Sequence, residues 1–400
     1  MKIITFGCRI NTYESALIRQ WADDLPHVIV VNTCAVTAEA ERQCRQTIRK
    51  LRKENPNDTL IVTGCAAQLH PEIYAAMPEV DRVLGNREKL SKDFLTAKDP
   101  LLVGDIDNVD FDIPPVHDFD GRCRAFLQVQ QGCDHRCTFC IVNKVRGRNK
   151  GLSPDDAVRQ AQTFVNNGYK ELVITGIDVT SYPYGLSDLI ERIIREVKGL
   201  KRLRLGSLDP AGVDDKMIDL FKNEEKIMPH AHLSIQSGDN LILKRMGRRH
   251  SREDVFELVQ KFKTARPDMV FGSDFITGFP TETEEMFRNT LDLVAKADIL
   301  LLHVFPFSVR PETPSAKMPM VPAEIRKKRA AALRLLGQKR LVDYLDRQGG
   351  KKESVLVEKE GVGLNAHYIT THVPQNLKAG EIVDVIIEGR TENELVAKIT

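Results

Sequence analysis

Every cysteine of this 400-residue chain lies at or before position 140, and six of the eight follow closely on short apolar runs. That placement constrains the fold more than any other feature. Lys2–Phe6, Val28–Val31 and Leu60–Thr63 read as buried strands, and they lead into Cys8, Cys34 and Cys65. Between them, Asn11–Asp23 and Ala38–Glu54 carry helical patterns. Such alternation predicts a doubly wound α/β domain, a parallel sheet with helices on its faces. All strand ends of a parallel sheet lie on one edge, where these folds bind ligands. The three thiols, 26 and 31 residues apart in sequence, are therefore expected to converge. The alternative is three unrelated buried cysteines, since free Cys is often buried.

A second group, Cys133-x3-Cys137-x2-Cys140, follows the predicted strand Ala125–Val129. That strand opens a second series: Glu171–Thr175, Arg202–Leu205, His232–Ile235, Val270–Ile276 and Leu300–Phe305. Helical patterns fill the gaps at Ser153–Asn166, Leu186–Val197, Asp214–Lys222, Arg252–Thr264 and Thr283–Ala297. Six strand-then-helix units predict a βα barrel or partial barrel, with its chemistry at the C-terminal strand ends. Three thiolates on one short loop can wrap an iron–sulfur cluster. Three ligands for four irons leave one iron open. An open iron can chelate the amino and carboxylate groups of S-adenosylmethionine (SAM), whose sulfonium C–S bond one electron then breaks to give a carbon radical. The competing reading is structural zinc, which prefers four protein ligands in two separated pairs. His135 would have to be the fourth ligand from within the tight loop. Cys44, in a helical pattern, and Cys123, before a strand, read as structural.

Between the two series, residues 98–121 hold seven aspartates (99, 105, 107, 110, 112, 118, 120) and Pro114-Pro115, and read as a linker. The expected organisation is 1–97, linker 98–121, 122–348 and 349–400. The third part ends in a helix from Pro322 to about Arg347. The last part, with β-like runs at Ser354–Glu358, Ile382–Glu388 and Leu395–Ile399, predicts a small β-barrel. At 42% hydrophobic and 28% charged, the chain is no disordered or low-complexity protein. No apolar run approaches the ~18 residues of a membrane helix, and no signal peptide is expected at the start. Dilute cysteines without a secretion signal indicate a reducing, cytoplasmic setting. The net charge is only +2, so contact with nucleic acid would need local basic patches. Candidates are Arg146, Arg148 and Lys150, then Arg248 and Arg249, then the ten Lys/Arg against three acids over 322–352. Solvated helix faces are the plainer reading of such runs.

Cys133-x3-Cys137-x2-Cys140, with Phe139 before the last cysteine, resembles the radical SAM signature. With Cys8, Cys34 and Cys65 upstream and a small barrel downstream, nearly the whole chain resembles the methylthiotransferase family. Further stretches that look like it include Thr175-Gly176, Arg204-Leu205-Gly206-Ser207, Ile235-Gln236-Ser237-Gly238 and Gly278-Phe279-Pro280. The resemblance implies two 4Fe–4S clusters, a radical-generating one on Cys133, Cys137 and Cys140 and a sulfur-donating auxiliary one on Cys8, Cys34 and Cys65. It also implies SAM used both as methyl donor and as radical source, and a C-terminal TRAM domain that grips RNA. Phe139, Gly176, Ser207 and Gln236 are the expected SAM neighbours. Gly7 to Ser15 and Arg146-Gly147-Arg148 look most like the branch that modifies N6-threonylcarbamoyladenosine (t6A) in the tRNA anticodon stem-loop. Sibling branches act on isopentenyladenosine in tRNA or on a ribosomal-protein aspartate. An electron donor such as a flavodoxin or ferredoxin, a sulfur source and no membrane complete the expected partners. Two rival classes are a zinc-bearing RNA-binding protein and a radical SAM enzyme whose second cluster only transfers electrons. The chain departs from the family pattern at Ile141 to Lys144, which lacks a usual proline, at Ser234, and at Thr281, where glycine is usual.

Overall fold

The computed structural model describes residues 1–22, 25–95, 97–107, 113–119 and 121–400. Its N-terminal sheet contains β1 (Lys2–Thr5), β2 (Val28–Thr33), β3 (Thr59–Gly64), β4 (Arg82–Leu84) and β5 (Leu101–Leu102), all parallel and in chain order. Strands buried on both faces read as continuous apolar runs, and alternate residues of β2 sort into two layers. Ile29 and Val31 pack with Ile48 and Leu51 of the helix Ala38–Glu54. Val30 and Ile61 pack with Ile18 of the helix Arg9–Ala22. The second helix starts where it does because the Thr37 hydroxyl accepts a hydrogen bond from the Ala40 N–H at 3.1 Å.

Two strands of this sheet are absent from the sequence reading. β4 and β5 have three and two residues, too short to show a period. β5 lies in the Asp- and Pro-rich segment, whose Val116 and Phe119 are also buried in the main core. The described part of that segment is thus packed structure, and the sheet extends past residue 97. Asp110, Asp112 and Asp120 of the expected linker, and the expected first-helix end at Asp23, lie outside the described residues.

The central part contains β6 (Arg124–Gln128), a short hairpin of β7 (Gln130–Gln131) and β8 (Lys150–Gly151), and then β9 (Glu171–Thr175), β10 (Arg202–Leu205), β11 (Ser207–Leu208), β12 (His230–Gln236), β13 (Val270–Thr277) and β14 (Ile299–Pro306). Parallel pairing gives two sheets, β10-β9-β6 and β11-β12-β13-β14, which together form a partial barrel. Ser153, Asp214, Ser251 and Thr283 cap its helices through their side chains. Tyr13 and Leu17 of the first helix share one hydrophobic core with Phe126, Phe164 and the barrel, so the two parts pack as a unit.

The chain ends in a closed five-stranded barrel: β15 (Lys352–Lys359), β16 (Val362–Asn365), β17 (Thr370–His372), β18 (Ile382–Arg390) and β19 (Leu395–Ile399). Buried Glu171 fixes how it docks. Its carboxylate accepts from Arg204 Nε at 2.7 Å and lies 3.5 Å from Arg202 Nη1. Those guanidinium groups donate onward to the backbone oxygens of Leu364, Asn365 and Ala366. Tyr368 stacks on His230 with centroids 4.5 Å apart. The barrel's single aromatic is therefore committed to a domain junction rather than to an RNA base. Beside it, His367 sits 3.2 Å from Asp268 and 3.0 Å from Glu353.

Burial opposes charge on His367, but the two carboxylates outweigh it and lift its pKa to about 9. A histidine raised from about 6.5 contributes stability that is complete below pH 6.5 and lost as pH rises through 9. The melting temperature should therefore fall between pH 6.5 and 9, and His367→Gln should flatten that part of the profile.

Candidate active site

The first three cysteines gather at the C-terminal edge of the N-terminal sheet. Gly7 and Gly64 turn the chain there with φ of +94° and +99°. At Gly64 a Cβ would lie 2.4 Å from the Thr33 backbone, and at Gly7 it would lie 2.9 Å from the Cys34 sulfur. Only glycine permits these approaches. Burial pushes the Cys34 thiol up to about 12, against the Val36 N–H 3.5 Å away, and the neighbouring Cys65 and Cys8 add to the rise. Cys65 Sγ accepts from Arg146 Nε at 3.3 Å.

Arg146 does not face solvent. It belongs to the short helix Val142–Arg146 that follows Cys140, yet its side chain is fully buried against the N-terminal sheet. It pairs with Glu14 and donates to Asn11 Oδ1 at 2.5 Å. Lys89, equally buried, meets Glu14 at 2.6 Å and Asn32 Oδ1 at 3.2 Å. Burial favours the neutral acid, but Arg146 and Lys89 outweigh it and hold Glu14 ionised. Burial pulls the Lys89 pKa down, against the upward pull of Glu14. The expectation that Arg146 contacts RNA is thus corrected: no phosphate reaches a side chain enclosed on all sides.

The second three cysteines lie on the loop after β7. Gly132 adopts φ +72°, and a Cβ there would lie 1.8 Å from the Arg148 carbonyl oxygen. Backbone bonds clamp the loop: Cys133 N to Gly147 O at 3.0 Å, Cys140 N to Cys137 O at 3.0 Å, and Thr138 N to Met246 O at 2.9 Å. Burial pushes Cys133 up to about 12 and Cys140 up to about 11. Arg248 Nη1 lies 3.8 Å from Cys137 Sγ, while Nη2 donates to Ser234 O at 2.8 Å and pairs with Asp209 at 3.2 Å. With its side chain 8% exposed, Arg248 braces this loop and is the second correction to the expected RNA contacts. Arg249 also pairs with Asp209 but remains half exposed, Arg148 is exposed, and Lys150 donates to Asp107 O. His135 turns to Asp178 at 2.8 Å.

Neither group has the span of a three-cysteine zinc site, although ligand atoms of Cys133, His135 and Asp178 lie within 4.8 Å of one another. Zn–S bonds of about 2.3 Å put tetrahedral sulfurs roughly 3.8 Å apart. Among the described residues, no three cysteines have their sulfurs all within 4.8 Å of one another. Soft thiolate ligands suit iron–sulfur clusters.

Both groups open onto one cleft. A cavity of about 540 Å³ is lined by Cys8 and Cys34 from the N-terminal sheet and by Gly176 and Ser207 from the barrel strand ends. A second, of about 260 Å³, is lined by Cys140, Phe139 and Gln236 and shares Val36, Thr37, Asp274 and Phe305 with the first. Gln236 sits at φ +72°, and Ser207 bonds the Ser234 hydroxyl at 2.6 Å. Thr281 adopts φ +70°, a region that favours glycine, and its hydroxyl accepts from Arg245 at 2.7 Å. Sequence reasoning missed Arg9, His232, Asp274 and His303 in this cleft. Asp274 Oδ1 lies 3.2 Å from both His232 Nε2 and His303 Nδ1. These three stand on adjacent strands β12, β13 and β14, and no local spacing links them.

The family described as the Radical SAM superfamily matches residues 127–294, and the one described as Uncharacterized protein family UPF0004 matches residues 1–85. The chain is 46% identical over 401 residues to the threonylcarbamoyladenosine tRNA methylthiotransferase MtaB of Rickettsia prowazekii, covering 98% of this chain and 95% of the relative. It is 31% identical over 439 residues to the tRNA-2-methylthio-N(6)-dimethylallyladenosine synthase of Rickettsia typhi, covering 99% and 98%. Among solved structures, the radical SAM methyltransferase TsrM of Kitasatospora setae shares the fold, with a TM-score of 0.57 and 16% identity over 77% of this chain and 69% of that one. The chain belongs to the radical SAM methylthiotransferase family, enzymes that use SAM and a 4Fe–4S cluster.

Replacing Arg146 by Met leaves Glu14 paired with Lys89 but strips donors from Glu14 and Asn11, and should destabilise the cluster-free protein by about 1–3 kcal/mol. Arg148→Met, two residues on and exposed, should change stability by less than about 0.5 kcal/mol. Chemical denaturation of the two variants measures the difference.

Proposed function

We propose that this enzyme methylthiolates C2 of t6A at position 37 of tRNA. The observation that carries the reading is that both cysteine groups open onto one cleft. The t6A branch is favoured by two relatives named as threonylcarbamoyladenosine tRNA methylthiotransferases, at 46% and 34% identity over nearly the full chain. C2 of adenine bears an inert C–H bond that no side-chain base is strong enough to ionise, so a bound cofactor must supply the hard chemistry. Cys133, Cys137 and Cys140 would hold a 4Fe–4S cluster that would supply the electron for SAM cleavage, and Cys8, Cys34 and Cys65 would hold a second that would supply the sulfur.

The chain's own residues do the rest. Arg146 ties Cys65 to Glu14 and Asn11 of the first helix. Arg248, held by Asp209, fixes the loop around Cys137. Phe139, Gly176, Ser207 and Gln236 line the space where SAM binds. In this reading residues 1–97 carry the auxiliary cluster, 122–348 generate the radical and 349–400 form a TRAM-like module. Arg148, Lys150 and Arg249 are left to meet the anticodon stem-loop. Electrons come from a flavodoxin or ferredoxin, sulfur from a separate donor, and the setting is the cytoplasm. Among the described residues no helix is long and apolar enough to cross a membrane.

Mass spectrometry of tRNA nucleosides from cells with and without the gene tests the substrate. Loss of methylthio-t6A with accumulation of t6A is expected; an unchanged level contradicts it. Cys137→Ala should abolish SAM cleavage while the auxiliary cluster survives, and continued cleavage would overturn the ligand assignment.

A further inference from the structure

The larger cavity holds a permanent cation that neither cluster needs. Arg9 lines it together with Cys8, His232, Asp274 and His303. Its guanidinium is held from the far side, where Nη2 donates to the Tyr368 hydroxyl at 3.1 Å. Tyr368 is itself fixed by its stack on His230 and lies under the Arg204 guanidinium, 5.3 Å from the ring centroid. The C-terminal barrel thus reaches across the molecule and orients a side chain of the first helix. Asp274, the acid facing this space, already lies within 3.2 Å of two histidine nitrogens, so its charge is engaged locally. The helix Arg9–Ala22 also points its N-terminal end here, with no acidic residue in its first turn.

We propose that Arg9 is the specificity-determining residue that binds the carboxylate of the N6 substituent of the target adenosine, with Tyr368 as its positioning residue. This rests on the t6A reading above. The chemistry of the base supports the placement. C2 and N6 flank the same N1 edge of the purine, so an adenosine that presents C2 to sulfur near Cys8 and Cys34 carries its N6 group along the same wall of the cavity. The threonylcarbamoyl group ends in a carboxylate, which a guanidinium recognises by two parallel hydrogen bonds. The isopentenyl group of the sibling substrate is apolar and gains nothing from Arg9.

The test uses the full-length, anaerobically reconstituted enzyme and two anticodon stem-loops. One carries t6A at position 37, and the other carries its threoninamide analogue, identical except that the carboxylate is a neutral amide. The wild type should prefer the carboxylate in kcat/KM by about 10- to 100-fold, the range of a charged hydrogen bond. Arg9→Gln should bring that ratio close to one, and Arg9→Lys should recover part of it. Because Arg9 adjoins Cys8, Tyr368→Phe provides a variant remote from the cysteines, and it should lower the ratio through KM at unchanged iron content. A wild-type preference that survives in both Arg9→Gln and Tyr368→Phe overturns the assignment while leaving the t6A reading intact. A wild-type enzyme that methylthiolates neither stem-loop overturns both.

Discussion

The structure turns on one buried carboxylate. Glu14, on the first helix, is gripped by Lys89 from its own domain and by Arg146 from the loop that follows Cys140. A carboxylate in the interior is tolerable only when paired. The same Arg146 guanidinium reaches the Cys65 sulfur, 3.3 Å from its Nε. One electrostatic arrangement therefore couples the two cysteine loops. Arg146 is six residues from Cys140 in sequence and touches the sulfur of Cys65, so the first triad cannot shift far without disturbing the second.

Parallel β-structure supplies the rest of the geometry. Strands that run the same way end on the same edge, and this chain sets two such edges against each other across a shared cleft. Glycines with positive φ make the turns that bring sulfur to each edge. Glu171, through Arg202 and Arg204, applies the same device of a buried acid gripping arginines to the C-terminal barrel. That docking carries Tyr368 to the rim of the cleft beside Arg9. A module expected only to grip RNA thus also shapes the site.

Much of this was legible in the residues. Long strands such as β13 and β14, and helices with Ser, Asp or Thr caps, announce themselves by their apolar runs and by capping chemistry. The strand-end position of Cys8, Cys34 and Cys65 pointed to convergence, and the structure brings them to one edge. Arg146 and Arg248 misled because a charge run in sequence does not show which members turn inward to meet buried acids. His232, Asp274 and His303 were invisible because they stand 42 and 29 residues apart and meet only through strand pairing. β5 was lost in a segment whose aspartates and prolines read as a connector, although two leucines suffice to extend a sheet already formed.

The central claim is that each cysteine triad holds its own cluster. Iron and acid-labile sulfide per chain, measured on anaerobically prepared protein alongside Mössbauer spectra, test it most directly. The account predicts about eight irons per chain in two 4Fe–4S clusters, falling to about four when either Cys8, Cys34 and Cys65 or Cys133, Cys137 and Cys140 are replaced by alanine. Four irons in the wild type, unaffected by loss of the N-terminal triad, would contradict it.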